Sequence, residues 1–121
     1  MYPFGAILEI QKTFYKHVGV YIGDGKVLHN HSVRGEEIVP PHTFSQGNII
    51  MVRPGVVQDP YAFIRRVQSI ALNPEPYSWF SNNCDHTVHK AVYGKSWSPQ
   101  LEFWGGVLAL GVISLAVARA R

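Results

Sequence analysis

His17-Val18-Gly19-Val20-Tyr21-Ile22-Gly23-Asp24-Gly25-Lys26-Val27-Leu28-His29 is the stretch on which the fold turns. Val18 to Ile22 is rich in β-branched and aromatic residues, and Gly23-Asp24-Gly25 is a tight-turn signal. Lys26 to His29 should therefore return antiparallel to the first run. His17 and His29 are twelve residues apart around a turn near Asp24, so they are expected roughly opposite each other at the far ends of one hairpin. Side chains alternate along a strand, and register decides whether both rings share a face.

Working outward, Ala6 to Ile10 reads as a short strand before the hairpin, and Asn48 to Arg53 as a further strand ended by Pro54-Gly55. Pro60 opens a helical segment running to about Leu72, with Phe63, Ile64, Val67, Ile70 and Ala71 at helical spacing. Asn73-Pro74-Glu75-Pro76 stops it. Ser81, Asn82 and Asn83 are candidate N-caps for the next helix, Val88, Ala91 and Val92 give its apolar stripe, and Tyr93-Gly94 marks its end. The pattern is α+β, a small antiparallel sheet packed with helices.

Cys84, the only cysteine, falls in the first turn of that helix. Backbone N–H groups without partners and the helix dipole favour an anion there, so a thiol with a lowered pKa is expected. The competing reading is inert packing, because cysteine is among the most buried residue types. His17 and His29 have a competing reading as residues that merely end strands. His86 and His89 lie three apart on the same helix, but Cys84 and His86 point to different faces, so no metal site and no cofactor is expected. His31 and His42 lie in polar, Pro-rich sequence and are expected in solvated loops. Tyr21, Tyr77 and Trp79 are aromatic candidates for substrate contact; Tyr77 and Trp79, with Phe80, could line an acyl channel or simply pack on the Cys84 helix.

With 121 residues there is room for one domain with one modest core, and a lone cysteine makes no internal disulfide, so reducing surroundings are expected. The net charge of +3 and pI near 9.2 come from thinly spread basic residues, with only Arg65-Arg66 adjacent. That argues against nucleic acid as a partner and allows a weak preference for anionic lipid. Met1-Tyr2-Pro3-Phe4 lacks the basic and apolar regions of a secretory signal.

From Phe103 to Ala118 the chain carries 16 uncharged residues, closed by Arg119 and Arg121. A bilayer core asks for about 20 apolar residues, and about 17 at the least, so the run is slightly short of a full span. Trp104 at one interface and the arginines at the other suit an anchor, and Gly105, Gly106 and Gly111 trouble a membrane helix less than a water-soluble one. The expected organisation is a catalytic domain over 1–100 and an apolar, helical, membrane-anchoring tail over 101–121. The alternative for the tail is a buried core helix.

The histidine stretch resembles the histidine box of the lecithin:retinol acyltransferase-like family, especially its phospholipase A and acyltransferase branch. Asn83-Cys84-Asp85-His86 followed by Tyr93-Gly94 resembles that family's Asn-Cys-Glu-His block and the Tyr-Gly that ends its helix. The two blocks, the Gly5 to Ile10 lead-in and the apolar tail stand in the family's order. The resemblance implies a circularly permuted papain-like, NlpC-type fold, with Cys84 as nucleophile, His17 as general base and His29 orienting His17. It also implies an acyl-Cys84 intermediate, formed on an ester of a glycerophospholipid and passed to water, an amine or an alcohol. The Cys84 backbone N–H is the geometric candidate for oxyanion stabilisation.

Asp85 departs from the family's usual Glu, although either acid suits a helix start. The segment between His29 and Asp59 lacks the long insertion of the retinol-specific enzyme, which favours a phospholipid. The expectation is a cytoplasmic, membrane-associated lipid enzyme. The alternatives are a cysteine peptidase or deamidase on the same fold, and a non-enzymatic interaction module.

Overall fold

A computed structural model describes residues 2–54, 57–79 and 82–95. The elements are β1 (Ile7–Gln11), β2 (Lys16–Gly23), β3 (Lys26–His31), β4 (Gly35–Val39), α1 (Pro41–Ser45), β5 (Met51–Arg53), α2 (Pro60–Leu72) and α3 (Cys84–Tyr93). The strands form one antiparallel sheet in the order β4-β3-β2-β1-β5. The class is α+β, as expected. The apolar run from Phe103 to Ala118 lies outside the described residues, and among those described no helix is long and apolar enough to cross a membrane.

The central hairpin closes where the turn residues demand. Asp24 and Gly25 both take positive φ, 53° and 68°, which a two-residue hairpin turn of this hand requires at both positions. The Gly25 N–H donates to the Tyr21 hydroxyl at 2.8 Å. The strand alternation then sorts the core into two layers. Ile7, Val18, Val20 and Leu28 meet Phe63, Val67 and Ile70 of α2 and Val88, Ala91 and Val92 of α3 on one face. On the other, Ala6, Leu8, Ile10, Tyr21 and Val27 close around Phe44 of α1.

Helix ends follow local chemistry. Asp59 caps α2, its carboxylate accepting from the Tyr61 and Ala62 N–H groups, and Pro60 sits at the first helical position, where its missing N–H costs nothing. At the end of α3, Gly94 adopts a φ of 75°, and the Arg66 guanidinium of α2 donates to the Ala91 and Val92 carbonyls. Those carbonyls would otherwise be left over by the helix.

Two elements depart from the sequence reading. β4 and α1 occupy residues to which the sequence reading assigned no element, and two adjacent glutamates in Gly35-Glu36-Glu37-Ile38-Val39 break the strand alternation. Both glutamates prove to have fixed partners. Glu36 is buried, accepting from Thr87 Oγ1 at 2.6 Å, from the Glu75 N–H at 2.9 Å and from Lys90 Nζ at 2.9 Å. Gly35 makes this closure possible: its φ is 82°, and a Cβ there would stand 2.8 Å from the Glu75 carbonyl oxygen. β5 is also shorter than the strand expected from Asn48.

Candidate active site

The β2–β3 register pairs Gly19 with His29. His17 is thus not directly across from His29, as the sequence suggested, but two residues along β2 on the same face, a diagonal neighbour within reach of a ring. His17 Nε2 lies 2.9 Å from His29 Nδ1, with the rings edge to face. Phe44 covers both, stacked on His17 at a centroid distance of 5.2 Å and edge-on to His29 at 5.6 Å. Gly19 makes the room: a Cβ there would come within 2.9 Å of the Phe44 ring and of Val27.

Behind His29 the pairing continues. Its Nε2 is 2.9 Å from Glu37 Oε1, across the β3–β4 pair in which the two residues are direct partners. Arg34 grips the same carboxylate through Nε at 2.9 and 3.1 Å and Nη2 at 2.7 Å. Arg34, with further contributions from His29, holds the Glu37 carboxyl down to about 2. Burial is the first cause lowering His17, to about 3, followed by His29, Lys12 and His31. It also lowers His29, against the opposing pull of Glu37. Both imidazoles are neutral around pH 7.

Cys84 comes from the other side. Asn83 caps α3 by accepting from the His86 N–H at 3.1 Å, while His86 Nδ1 accepts from the Asn83 N–H at 3.0 Å. Asn30 of β3 donates to the Asn82 carbonyl at 2.7 Å and so ties the helix entry to the sheet. The Cys84 thiol points at the backbone around His17, donating to the Lys16 carbonyl at 3.7 Å. His17 and Cys84 line one cavity of about 130 Å³, together with Tyr15, Asn30, His31 and Tyr77. Two larger cavities among the described residues, about 200 Å³ each, are lined by neither residue.

The expected lowering of the thiol pKa is overturned. Cys84 is only 4% exposed, and burial pushes its thiol up to about 12, with the Asp85 carboxylate adding in the same direction. Backbone N–H groups of Val18, Asp85 and Cys84 itself pull the other way. A helix terminus contributes about 0.3–1 kcal/mol to an anion. A rise from 9.0 to about 12 corresponds to about 4 kcal/mol against the thiolate, so desolvation wins.

Of the remaining candidates, Tyr77 lines the cavity. Burial, then Cys84, Tyr15 and Asp85, raise its hydroxyl pKa. Trp79 is half exposed, and its carbonyl accepts from Asn83 at 3.1 Å. Tyr21 is elsewhere, buried in the second apolar layer and not among the residues lining the cavity. Phe80 lies outside the described residues. His86 and His89 are occupied by α3's own backbone, His89 Nδ1 lying 2.9 Å from the Asp85 carbonyl, and among the described residues no His, Cys, Asp and Glu group is arranged to hold a metal. His42 is exposed, as expected, although on α1 rather than in a loop. His31 is not a solvated loop residue: it ends β3, and its Nδ1 accepts from the Val33 and Arg34 N–H groups at 3.0 and 3.1 Å. Asn30, Arg34, Glu37 and Phe44 went unread as site residues; the Val33-Arg34-Gly35 turn signal could have revealed the hairpin that delivers Arg34 and Glu37.

The family model described as lecithin retinol acyltransferase matches residues 1–73, which include β1 to β5 and α2 and stop short of Cys84. Human phospholipase A and acyltransferase 2 is 26% identical over 142 aligned positions, covering 96% of this chain and 85% of that protein. Rat lecithin retinol acyltransferase is 26% identical over 133 positions, covering 81% of this chain and 57% of the relative. The human lecithin retinol acyltransferase is 28% identical over 131 positions, with 79% and 56% covered. The chain thus spans little more than half the length of the lecithin retinol acyltransferases it matches. On the match over residues 1–73, the chain belongs to the lecithin retinol acyltransferase family.

Proposed function

We propose that this protein is a thiol-dependent phospholipase A and acyltransferase, in which Cys84 is the nucleophile, His17 the general base and His29 the residue that orients His17. The observation that carries the reading is the shared cavity: a thiol at the start of α3 and an imidazole hydrogen-bonded to a second imidazole line the same small space. The printed activities of the relatives, acyltransferase and phospholipase A, point to the same chemistry.

At rest the proton stays on sulfur, since both partners favour their neutral forms. With an ester carbonyl in the cavity, the thiol proton passes to His17 as the sulfur–carbon bond forms. The carbonyl oxygen takes the electron pair, and in this reading the Cys84 backbone N–H donates to it. As the intermediate collapses, His17 returns the proton to the leaving alkoxide, and the acyl group remains on Cys84 as a thioester. Water, an amine or an alcohol then gives a proton to His17 and takes the acyl group, which restores the thiol.

A space of about 130 Å³ admits the reacting ester but not a whole lipid. The acyl chains must therefore remain at the surface. Phe14 and Val33, 82% and 86% exposed, sit beside cavity residues Tyr15 and Ser32, with Lys12 and Lys16 on the same turn. Apolar tips flanked by cations suit a glycerophospholipid surface. The order of base, orienter and nucleophile along the chain fits a circularly permuted papain-like, NlpC-type arrangement. In this reading residues 1–100 are the catalytic domain, residues 101–121 anchor it in a membrane, and the protein is cytoplasmic and membrane-associated.

The test is incubation of the full chain with phosphatidylcholine vesicles, with intact-mass spectrometry of the protein. Fatty acid release or transfer to an amine is expected, with an acyl adduct on Cys84, and Cys84→Ser should abolish both. Unchanged turnover in that variant ends the reading, and turnover of peptide amides alone makes the protein a peptidase. Removing 101–121 should lower the vesicle-bound fraction, and an unchanged fraction removes the anchor.

A further inference from the structure

We propose that Glu37, clamped by Arg34, is a positioning residue that fixes the tautomers of both histidines and so leaves the lone pair of His17 on Nδ1, ready for the Cys84 proton. The catalytic consequence rests on the acyl-transfer reading; the tautomer assignment does not.

The argument is a count of protons along one line of contacts. A carboxylate only accepts, so the 2.9 Å contact between Glu37 Oε1 and His29 Nε2 requires an N–H on His29 Nε2. A neutral His29 then has its lone pair on Nδ1. The 2.9 Å contact from that nitrogen to His17 Nε2 must be filled by an N–H of His17. Neutral His17 is left with its lone pair on Nδ1, the form a general base needs. Without the carboxylate the two imidazoles could reverse their shared hydrogen bond, which would place a proton on His17 Nδ1 and disable it.

Arg34 holds the carboxylate in its acceptor-only form through a two-oxygen grip. The other charged or titratable groups around the pair are His31 at the end of β3, Lys12 and Tyr15 between β1 and β2, Tyr77 ahead of α3, and Cys84 at its start. None of these is an acceptor-only group that could select the same tautomers, since the Cys84 thiol carries its own proton. The apolar cover of Phe44 leaves the hydrogen-bonded line as the determinant of proton position.

Glu37→Gln inverts the line. Arg34 would draw the amide oxygen, the amide N–H would donate to His29 Nε2, and both imidazoles would switch tautomer. Long-range ¹H–¹⁵N spectra of the full chain with labelled histidine should show both rings protonated at Nε2 in the wild type and at Nδ1 in this variant. Iodoacetamide capture of Cys84 and kcat for acyl transfer should each fall by about 100-fold, with KM little changed. Glu37→Asp should restore the wild-type tautomers and most of the rate. Wild-type tautomers and capture rate persisting in Glu37→Gln would overturn the proposal. Tautomers that invert as stated in a protein inert toward phosphatidylcholine would support the relay while ending the lipid reading. If Glu37→Gln does not fold, Arg34→Gln keeps the carboxylate but loosens its grip. It should move the acid limb of the capture-rate profile toward neutral pH, and an unmoved limb would overturn the proposal.

Discussion

The two sides of the candidate site are built by different means. On the strand side, His17 and His29 are held by each other, by Glu37 and by the flat cover of Phe44. On the helix side, Cys84 is placed almost wholly through backbone: Asn30 and Asn83 fix where α3 begins, and the thiol donates to a main-chain carbonyl. Ring contacts tune protonation, whereas caps and ladders tune position. The difference teaches that disturbing the strand side should change the pH behaviour first, and disturbing the helix side should change stability first.

The largest effect should come from the helix side. Glu36 is the buried carboxylate that joins β4 to Thr87 and Lys90 of α3, and Glu36→Ala removes the acceptor from Thr87 Oγ1 and the Glu75 N–H and the nearer of two carboxylates from Lys90. We expect a loss of about 3–5 kcal/mol in denaturant unfolding. A loss below about 1 kcal/mol would show that α3 is held without Glu36, by its apolar stripe and the Asn30 and Arg66 contacts.

Acid should act on the strand side. The folded value for His17 is lowered below its ordinary 6.5, so the folded state favours the neutral ring. That contribution is fully present above pH 6.5 and is lost as pH falls toward 3. A loss on the order of a few kcal/mol across this window is expected, and it should be much smaller in His17→Gln. Unfolding measured against pH with equal slopes in the two proteins would break this half of the comparison.

The smallest effect sharpens the boundary between the sides. Gly19→Ala drives a methyl into Phe44 and Val27, and a cost of about 1–3 kcal/mol is expected. Its signature should be the displaced ring current of Phe44 on the His17 protons, with α3 exchange protection retained. Unshifted His17 resonances would mean that Phe44 does not set the ring position.

Much of this arrangement was legible in the sequence because it rests on local signals. Asp59-Pro60 and Asn83-Cys84 mark helix starts, Gly94 marks an end, and Asp24-Gly25 closes the hairpin, all where these residue types act on their own backbone. What was missed depends on partners in other elements. β4 was not picked out because Glu36 and Glu37 are adjacent charges, and only the fold reveals that one meets Thr87 and the other His29. The Cys84 thiol was misjudged for the same reason: a helix start is visible in sequence, but the depth at which the sheet buries it is not.

The side chains that grip α3 at its two ends and its middle all precede it: Asn30 at its entry, Glu36 midway, Arg66 at its last carbonyls. A chain made from its N-terminus thus carries all three of these residues before α3 is synthesised. The paired histidines likewise precede the thiol along the chain. The cavity that His17 and Cys84 line therefore needs both the first hairpin and the last described helix in place.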